Sequence, residues 1–284
     1  MNIGIIGLGL IGGSMAIDLR RRKFADRIVG VDADKVNAAA AVKIGLVDET
    51  VTEDECVAQS DIIIVAVPVS AAVKVVCRVL DQFQKEGWTD KVVMDVCSTK
   101  EQIAQATMYH ACRKQYVATH PMAGTEYSGP WAALPNLFDA KVCIIADQQE
   151  SSPKAVAEIV KLYDALNMRV SYMSVSSHDV HTAYVSHLSH VISFALANTV
   201  LDKEKDEKHI FDLASGGFSS TARLAKSNAD MWTPIFMQNR ENIVKVTDAF
   251  LQKVQQFRDS IEDMDERAIR SFIDEANRIK RIIK

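Results

Sequence analysis

Short runs rich in Val and Ile recur along the first half of the chain, at 2–7, 27–32, 61–67, 91–95, 116–120 and 141–146, and the residues between them carry helical spacing. A strand that is apolar on both faces, such as Ile62-Ile63-Ile64-Val65, belongs to a sheet covered by helices on each side, because neither face meets water. The rhythm therefore predicts an α/β domain with a mostly parallel sheet over residues 1–150. Past Ser151 only one further strand is expected, at 169–173, and residues 151–284 read as an all-helical second domain. Segment 180–200 contains neither Gly nor Pro and leads into DKEKDEKH at 202–209, expected as a solvated loop. Residues 239–284 also lack both, and Ile243, Val246, Phe250, Val254, Phe257 and Ile261 fall at three- and four-residue steps. Such a stripe must be buried against something. Packing within the chain and pairing with a second copy account for it equally well.

Composition narrows the partners. A chain of 284 residues with 48% hydrophobic content has room for two cores. Its 33 basic and 37 acidic residues nearly cancel without a long run of either sign, so the electrostatic footprint of a nucleic-acid or anionic-membrane binder is missing and a small-molecule partner is expected. Cys56, Cys77, Cys97, Cys112 and Cys143 are odd in number and scattered, with no CxxC pair. They read as reduced thiols of a cytoplasmic protein. No apolar stretch reaches the roughly 18 residues that span a bilayer.

The most specific local pattern is NIGIIGLGLIGGS. It places Gly7, Gly9 and Gly12 in a G-x-G-x-x-G turn between an apolar strand and a helix, which Leu10 and Ile11 open. Gly7 allows the tight turn, Gly9 lets backbone N–H groups approach a pyrophosphate, and Gly12 lets helix and strand pack closely. The helix start adds partial positive charge. Asp32, at the end of the next strand, is placed to accept the adenosine ribose hydroxyls and to repel a 2′-phosphate, so NAD is the expected cofactor. Val67 and Pro68 come after the strand from Ile62, at the strand end that faces the same crevice. For Pro68, loop punctuation is an equally good account.

Two further strand ends carry polar clusters. In KVVMDVCSTKEQ, Ser98 precedes Glu101 in an S-x-x-E pattern that predicts a capping box; a hydroxyl there could also touch the cofactor or orient an imidazole. In YVATHPMAGTEYSG, His120 ends a strand before Pro121, with Thr125 and Glu126 close behind. An imidazole at that rim could take a proton from a hydroxyl as hydride leaves the substrate. The helical half adds His178, His181, His187 and His190. At about 100° per residue His178 and His181 share a side while His187 and His190 face away, so no metal site is expected. Arg223, flanked by apolar residues, could grip a carboxylate or pair with a structural acid.

Taken together, GLGLIGGS, VGVD, VPV, DVxSTK, HPMAGTE, SHLxH, GGF with TARLAKS, and the MW of Trp232 resemble the prephenate dehydrogenase family of tyrosine biosynthesis. The resemblance implies a Rossmann domain joined to an all-helical dimerisation domain, with a homodimer as the assembly and the active site in the cleft between the domains. It implies NAD-dependent oxidative decarboxylation of prephenate, with arogenate as the rival substrate. His120 resembles the catalytic histidine, Ser98 the serine that orients it, and Arg223 the arginine for a substrate carboxylate. His187 and His190 resemble paired pocket histidines, Glu126 a gating acid, and Trp232 a pocket residue near the dimer contact. Cys97 stands where glycine is frequent. A non-catalytic NAD sensor on the same fold is the alternative from another class; an imine or β-hydroxyacid reductase would need an acid in the helical domain that the sequence does not offer.

Overall fold

The computed structural model describes residues 1–207 and 209–282. Strands β1 (Asn2–Ile6), β2 (Arg27–Val31), β3 (Glu49–Thr50), β4 (Ile62–Val65), β5 (Val92–Asp95), β6 (Tyr116–Pro121), β7 (Val142–Ala146) and β8 (Arg169–Met173) form one sheet. Their order is β3-β2-β1-β4-β5-β6-β7-β8. β1 to β6 are parallel, β7 runs antiparallel to β6, and β8 is parallel to β7. Helices α1 (Leu10–Arg21), α2 (Lys35–Lys43), α3 (Glu53–Gln59), α4 (Val69–Glu86), α5 (Glu101–Thr107) and α6 (Pro153–Ala165) accompany the sheet. Then come α7 (Val175–Thr182), α8 (Leu188–Asp206), α9 (Gly216–Ala222), α10 (Ala229–Gln238), α11 (Arg240–Glu262) and α12 (Glu266–Ala276).

Alternation along each strand divides the apolar side chains between two cores. Ile3, Ile5, Ile62, Ile64 and Met94 pack with Met15 and Leu19 of α1 and with Ile159 and Leu162 of α6. Ile6, Ile63, Val65 and Val93 pack on the other face with Val75, Val76, Val79 and Phe83 of α4. Both faces of the central strands are therefore dry, as their unbroken apolar runs require.

Several expectations change. The two-residue β3 carries no run that a pattern could reveal. Residues 151–173, placed by the sequence pattern in the helical half, supply α6 and the edge strand β8, so the purely helical part begins at Val175. The segment expected as a solvated loop from 202 is helical to Asp206, where Lys205–Asp202 and Lys203–Glu207 ion pairs line the last turns of α8. The long C-terminal helix is broken: Met264 takes φ 53°, and the Asp265 side chain accepts from the N–H groups of Arg267 and Ala268 to start α12. All five cysteines are free. Among the described residues no helix is long and apolar enough to cross a membrane.

Candidate active site

The ends of β1, β2 and β4 meet at the glycine turn. Gly7 has φ 101°, and a Cβ there would lie 2.4 Å from the Ala66 carbonyl oxygen. A Cβ on Gly12 would lie 2.1 Å from the Gly7 carbonyl oxygen. These two glycines answer to the protein's own backbone. Gly9 does not: a Cβ there meets nothing within 4 Å. It is the N-cap of α1 with no side-chain cap and no acid in the first turn, and the opening N–H groups of a helix, here from Leu10 and Ile11, have no intrahelical partner. The open cradle and its donors fit a pyrophosphate.

Asp32 sits beside them. Its Oδ2 accepts from Leu8 N at 2.9 Å and its Oδ1 from Asp34 N at 2.9 Å, which leaves each oxygen a lone pair for a ribose hydroxyl. Asp34 caps α2 and adds a second carboxylate there, an unfavourable setting for a 2′-phosphate. Pro68 is exposed at the N-cap of α4. The Val67 carbonyl accepts from Cys97 Sγ at 3.7 Å, so the thiol bridges the turns after β4 and β5.

Beneath the next two strand ends lies a charged core. Asp95 and Lys100 pair with both side chains fully buried, and Asp95 also accepts from the Tyr116 hydroxyl at 2.7 Å and from Cys97 N at 3.0 Å. This pair sets the path of the turn that carries Ser98, and it overturns the expected capping box. α5 begins at Glu101, and its N-cap, Lys100, offers no side-chain hydrogen bond. The N–H groups of Lys100 and Glu101 instead donate to the carboxylate of Asp179 on α7, at 2.9 and 3.0 Å. Ser98 is half-buried nearby but does not hold His120. Among the described residues that ring is held by His178, whose Nε2 lies 2.8 Å from His120 Nδ1, and His178 Nδ1 lies 2.7 Å from Asp179 Oδ1.

The opposite wall is helical. Between α7 and α8 the backbone opens into a π turn over Ala183–His187. The wider turn rotates the residues after it, so His187 comes round toward His178 rather than facing away as uniform α-helical steps predict; π segments of this kind are frequent at functional sites. His187 is buried, and Asn239 donates to its Nδ1 at 3.2 Å and to the Asp179 carbonyl at 2.7 Å. His190 stacks on Trp232 with ring centroids 3.5 Å apart and donates from Nδ1 to the Ser186 carbonyl. The buried Trp232 Nε1 has no partner among the described residues. Arg223 reaches Glu126 at 3.4 Å across the crevice. Thr125 is half-buried in the same loop, its Oγ1 accepting from Tyr127 N. His181 is exposed and stands apart.

Burial dominates the electrostatics. It pushes His120 well below the usual histidine range, helped by His178, Lys100 and His187. Burial also lowers His187 to about 4, and lowers His190, where the Ser186 carbonyl pulls the other way and the Arg223 charge adds to the depression. Burial raises Asp179, but the hydrogen bonds from His178 and from the N–H groups of Glu101 and Lys100 outweigh it and hold the carboxyl below its ordinary value. The crevice thus presents neutral imidazoles beside one guanidinium. Among the described residues no His, Cys, Asp and Glu group is arranged to hold a metal ion. Sequence reasoning missed Asp179, Asn239 and Lys100; the only local signal was a His-Asp dipeptide at 178–179.

Residues 15–172 match the family model described as prephenate dehydrogenase, nucleotide-binding domain, and residues 174–275 match that described as prephenate dehydrogenase, dimerization domain. The chain is 30% identical over 264 residues to the prephenate dehydrogenase of Bacillus subtilis, covering 92% of this chain and 70% of that protein. It is 29% identical over 271 residues to the cyclohexadienyl dehydrogenase of Zymomonas mobilis, covering 93% and 89%. Among solved structures, prephenate dehydrogenase from A. aeolicus, in complex with hydroxyphenyl propionate and NAD+, superposes with a TM-score of 0.89 at 28% identity, covering 100% of this chain and 98% of that one. With a sheet, a glycine turn and a histidine-lined crevice of the expected kind, and with the two family models matched in succession along it, the chain belongs to the prephenate dehydrogenase family.

Proposed function

We propose that this protein catalyses the NAD-dependent oxidative decarboxylation of prephenate to 4-hydroxyphenylpyruvate in tyrosine biosynthesis. The observation that carries the reading is the disposition of His120 and Arg223. A neutral imidazole ends strand β6, and the helical half brings a guanidinium that among the described residues pairs with half-buried Glu126, in the loop that follows that strand. Prephenate is a cyclohexadienol with a ring carboxylate and a pyruvyl side chain, and it needs both groups.

NAD, when bound at Gly9 and Asp32, supplies the hydride acceptor. His120 accepts the proton of the ring hydroxyl as hydride leaves C4. The ring carboxylate departs as CO2, its bonding electrons enter the ring, and the proton returns to the phenol oxygen, so the residues are restored after each turnover. Aromatisation provides the driving force, and the protein's task is chiefly to orient the ring and hold its carboxylates. Arg223 grips a carboxylate by leaving Glu126, while His187, His190 and Trp232 shape the wall against which the ring lies. The helical half joins two copies into a homodimer, and the chain works in the cytoplasm.

The test is a spectrophotometric assay of purified protein with prephenate and with arogenate, each with NAD and with NADP. Prephenate with NAD should give the highest kcat/KM; preference for arogenate would reassign the substrate, and equal use of NADP would remove the role given to Asp32. His120→Asn should leave substrate and NAD binding intact while kcat falls roughly 100-fold or more. Normal turnover in that variant would take His120 out of the mechanism.

A further inference from the structure

His120 can act as a base only through a ring nitrogen that carries a lone pair and is free to meet the substrate. Its two nitrogens are not equivalent in the fold. Nδ1 is committed to His178, whereas Nε2 makes no hydrogen bond among the described residues. Which of the two carries the proton is therefore decided behind the ring, by the groups that face Nδ1.

The chain of partners has one consistent assignment. The Asp179 carboxylate already accepts from the N–H groups of Lys100 and Glu101, so it is ionised and acts as an acceptor only. His178 Nδ1, 2.7 Å from Asp179 Oδ1, must then carry a hydrogen. A neutral His178 has its lone pair on Nε2, and that atom, 2.8 Å from His120 Nδ1, can only accept. The His120 proton is placed on Nδ1 and the lone pair on Nε2. Both imidazoles are buried, His178 completely. Burial lowers the affinity of each for a second proton.

Resting on the reaction proposed above, we infer that His178 and Asp179 are positioning residues that fix the tautomer of His120, leaving its Nε2 as the proton acceptor. Both lie behind the His120 ring, His178 fully buried and Asp179 1% exposed. The anchor spans the two halves of the molecule: Asp179 belongs to α7, the helix N-terminus it caps belongs to α5, and His120 ends β6. Asn239 donates to the Asp179 main-chain carbonyl and ties α11 to the same point. The sheet half and the helical half thus set the base through one carboxylate.

Asp179→Asn separates this role from a merely structural one. In the variant the amide oxygen is drawn to the helix N–H groups, where Oδ2 accepts from Glu101 at 3.0 Å and Lys100 at 3.3 Å. The amide NH2 is then turned toward His178 Nδ1, which reverses every donor along the chain and protonates His120 at Nε2. The Oδ2 half of the cap survives, with Lys100 N–H giving up its 2.9 Å bond to Oδ1, while the tautomer inverts. The expected result is a fall in kcat of roughly 100-fold or more with KM and the NAD dissociation constant little changed. His178→Phe, which removes the acceptor for Nδ1–H, should show the same split.

The decisive readout is 15N NMR of the histidine ring nitrogens, which distinguishes the tautomers without turnover. In the unsubstituted protein at neutral pH, His120 should show protonated Nδ1 and unprotonated Nε2, and in Asp179→Asn the reverse. A wild-type His120 protonated at Nε2, or an Asp179→Asn protein that folds and keeps kcat within about threefold, overturns the inference. If Asp179→Asn does not fold, the wild-type spectrum decides alone. Absence of prephenate turnover by the wild-type protein would defeat the proposed reaction instead, while the spectrum would still read the tautomer.

Discussion

At the scale of single residues, the crevice depends on keeping imidazoles neutral near a fixed positive charge. The ionisable groups around His120 are His178, His187 and the buried Lys100, with the Cys143 thiol behind it pushed up to about 12 by burial. A base must be unprotonated, and a lowered pKa keeps it so as the solution is acidified, with activity lost only as pH falls through the depressed value. We therefore expect kcat/KM to stay level as pH drops through about 6.5, where an ordinary histidine titrates. A pH–rate profile checks this, and an acid limb centred at or above that value would place the base elsewhere. Arg223 poses a question of magnitude. Its partner Glu126 is 3.4 Å away, and the guanidinium is 53% exposed, so the pair is worth no more than about 1 kcal/mol. Glu126→Gln should change KM for prephenate less than about fivefold, whereas Arg223→Ala, which removes a charged hydrogen bond to the substrate, should raise it about tenfold or more. His120 and Arg223 could be singled out in the sequence as candidates because each stands out from its own neighbours. Asp179 was not, since its three hydrogen-bonded N–H and imidazole partners span positions 100 to 178 and only folding brings them together.

At the scale of elements, the same contrast appears between local and non-local causes. The strand–turn–helix unit at the N-terminus is specified by its own residues, and its glycines can be told apart by what surrounds them. Gly12→Ala forces a methyl group against the Gly7 carbonyl, a contact of 2.1 Å with backbone that cannot swing aside. It should destabilise the fold by about 1–3 kcal/mol, read as a lower midpoint in thermal or urea unfolding. Gly9→Ala meets nothing within 4 Å. Its unfolding midpoint should stay close to wild type while the NAD dissociation constant rises about tenfold or more, measured by fluorescence titration. Loss of stability in Gly9→Ala with unchanged NAD affinity would contradict the cradle. The start of α5 shows the opposite case. Ser98 and Glu101 have the spacing of a capping box, but the buried Asp95–Lys100 pair pins the intervening turn and Asp179 meets the free N–H groups from another helix. The π turn at Ala183–His187 defeats helical-wheel reasoning in a similar way, because a single widened turn re-aims every residue after it.

At the scale of the whole molecule, the two halves differ in how much apolar surface the chain can bury by itself. The sheet layer holds two large cores, while the third cluster of buried apolar side chains, in the helical half, consists of Ala183, Ile243 and Val246. α12 buries none of its residues, and α11 buries only Ile243 and Val246 out of 23. The periodic stripe on α11 was legible in the sequence, but whether the chain could cover it was not, since that depends on how far the neighbouring helices reach. They cover its beginning, and beyond it Phe250 and Phe257 are only half-buried, Phe257 against Phe272 of α12. Val254 remains 46% exposed and Ile261 54%, and Val244 and Leu251 widen the same face at 52% and 56%. A bare surface of this kind is costly in water, and a second copy laying the same helices against it would bury both stripes at once, as a two-fold interface requires. Light scattering should therefore report about twice the 31.4 kDa chain mass at micromolar concentration. Leu251→Glu combined with Val254→Glu should shift the protein to monomer and lower its thermal midpoint, because two carboxylates would face their symmetry mates across an apolar seam. His120 and the glycine turn lie in the sheet half, so NAD affinity in that variant should remain within about threefold of wild type. A monomeric wild-type protein, or a variant that still dimerises, would mean that this face is not where the copies meet.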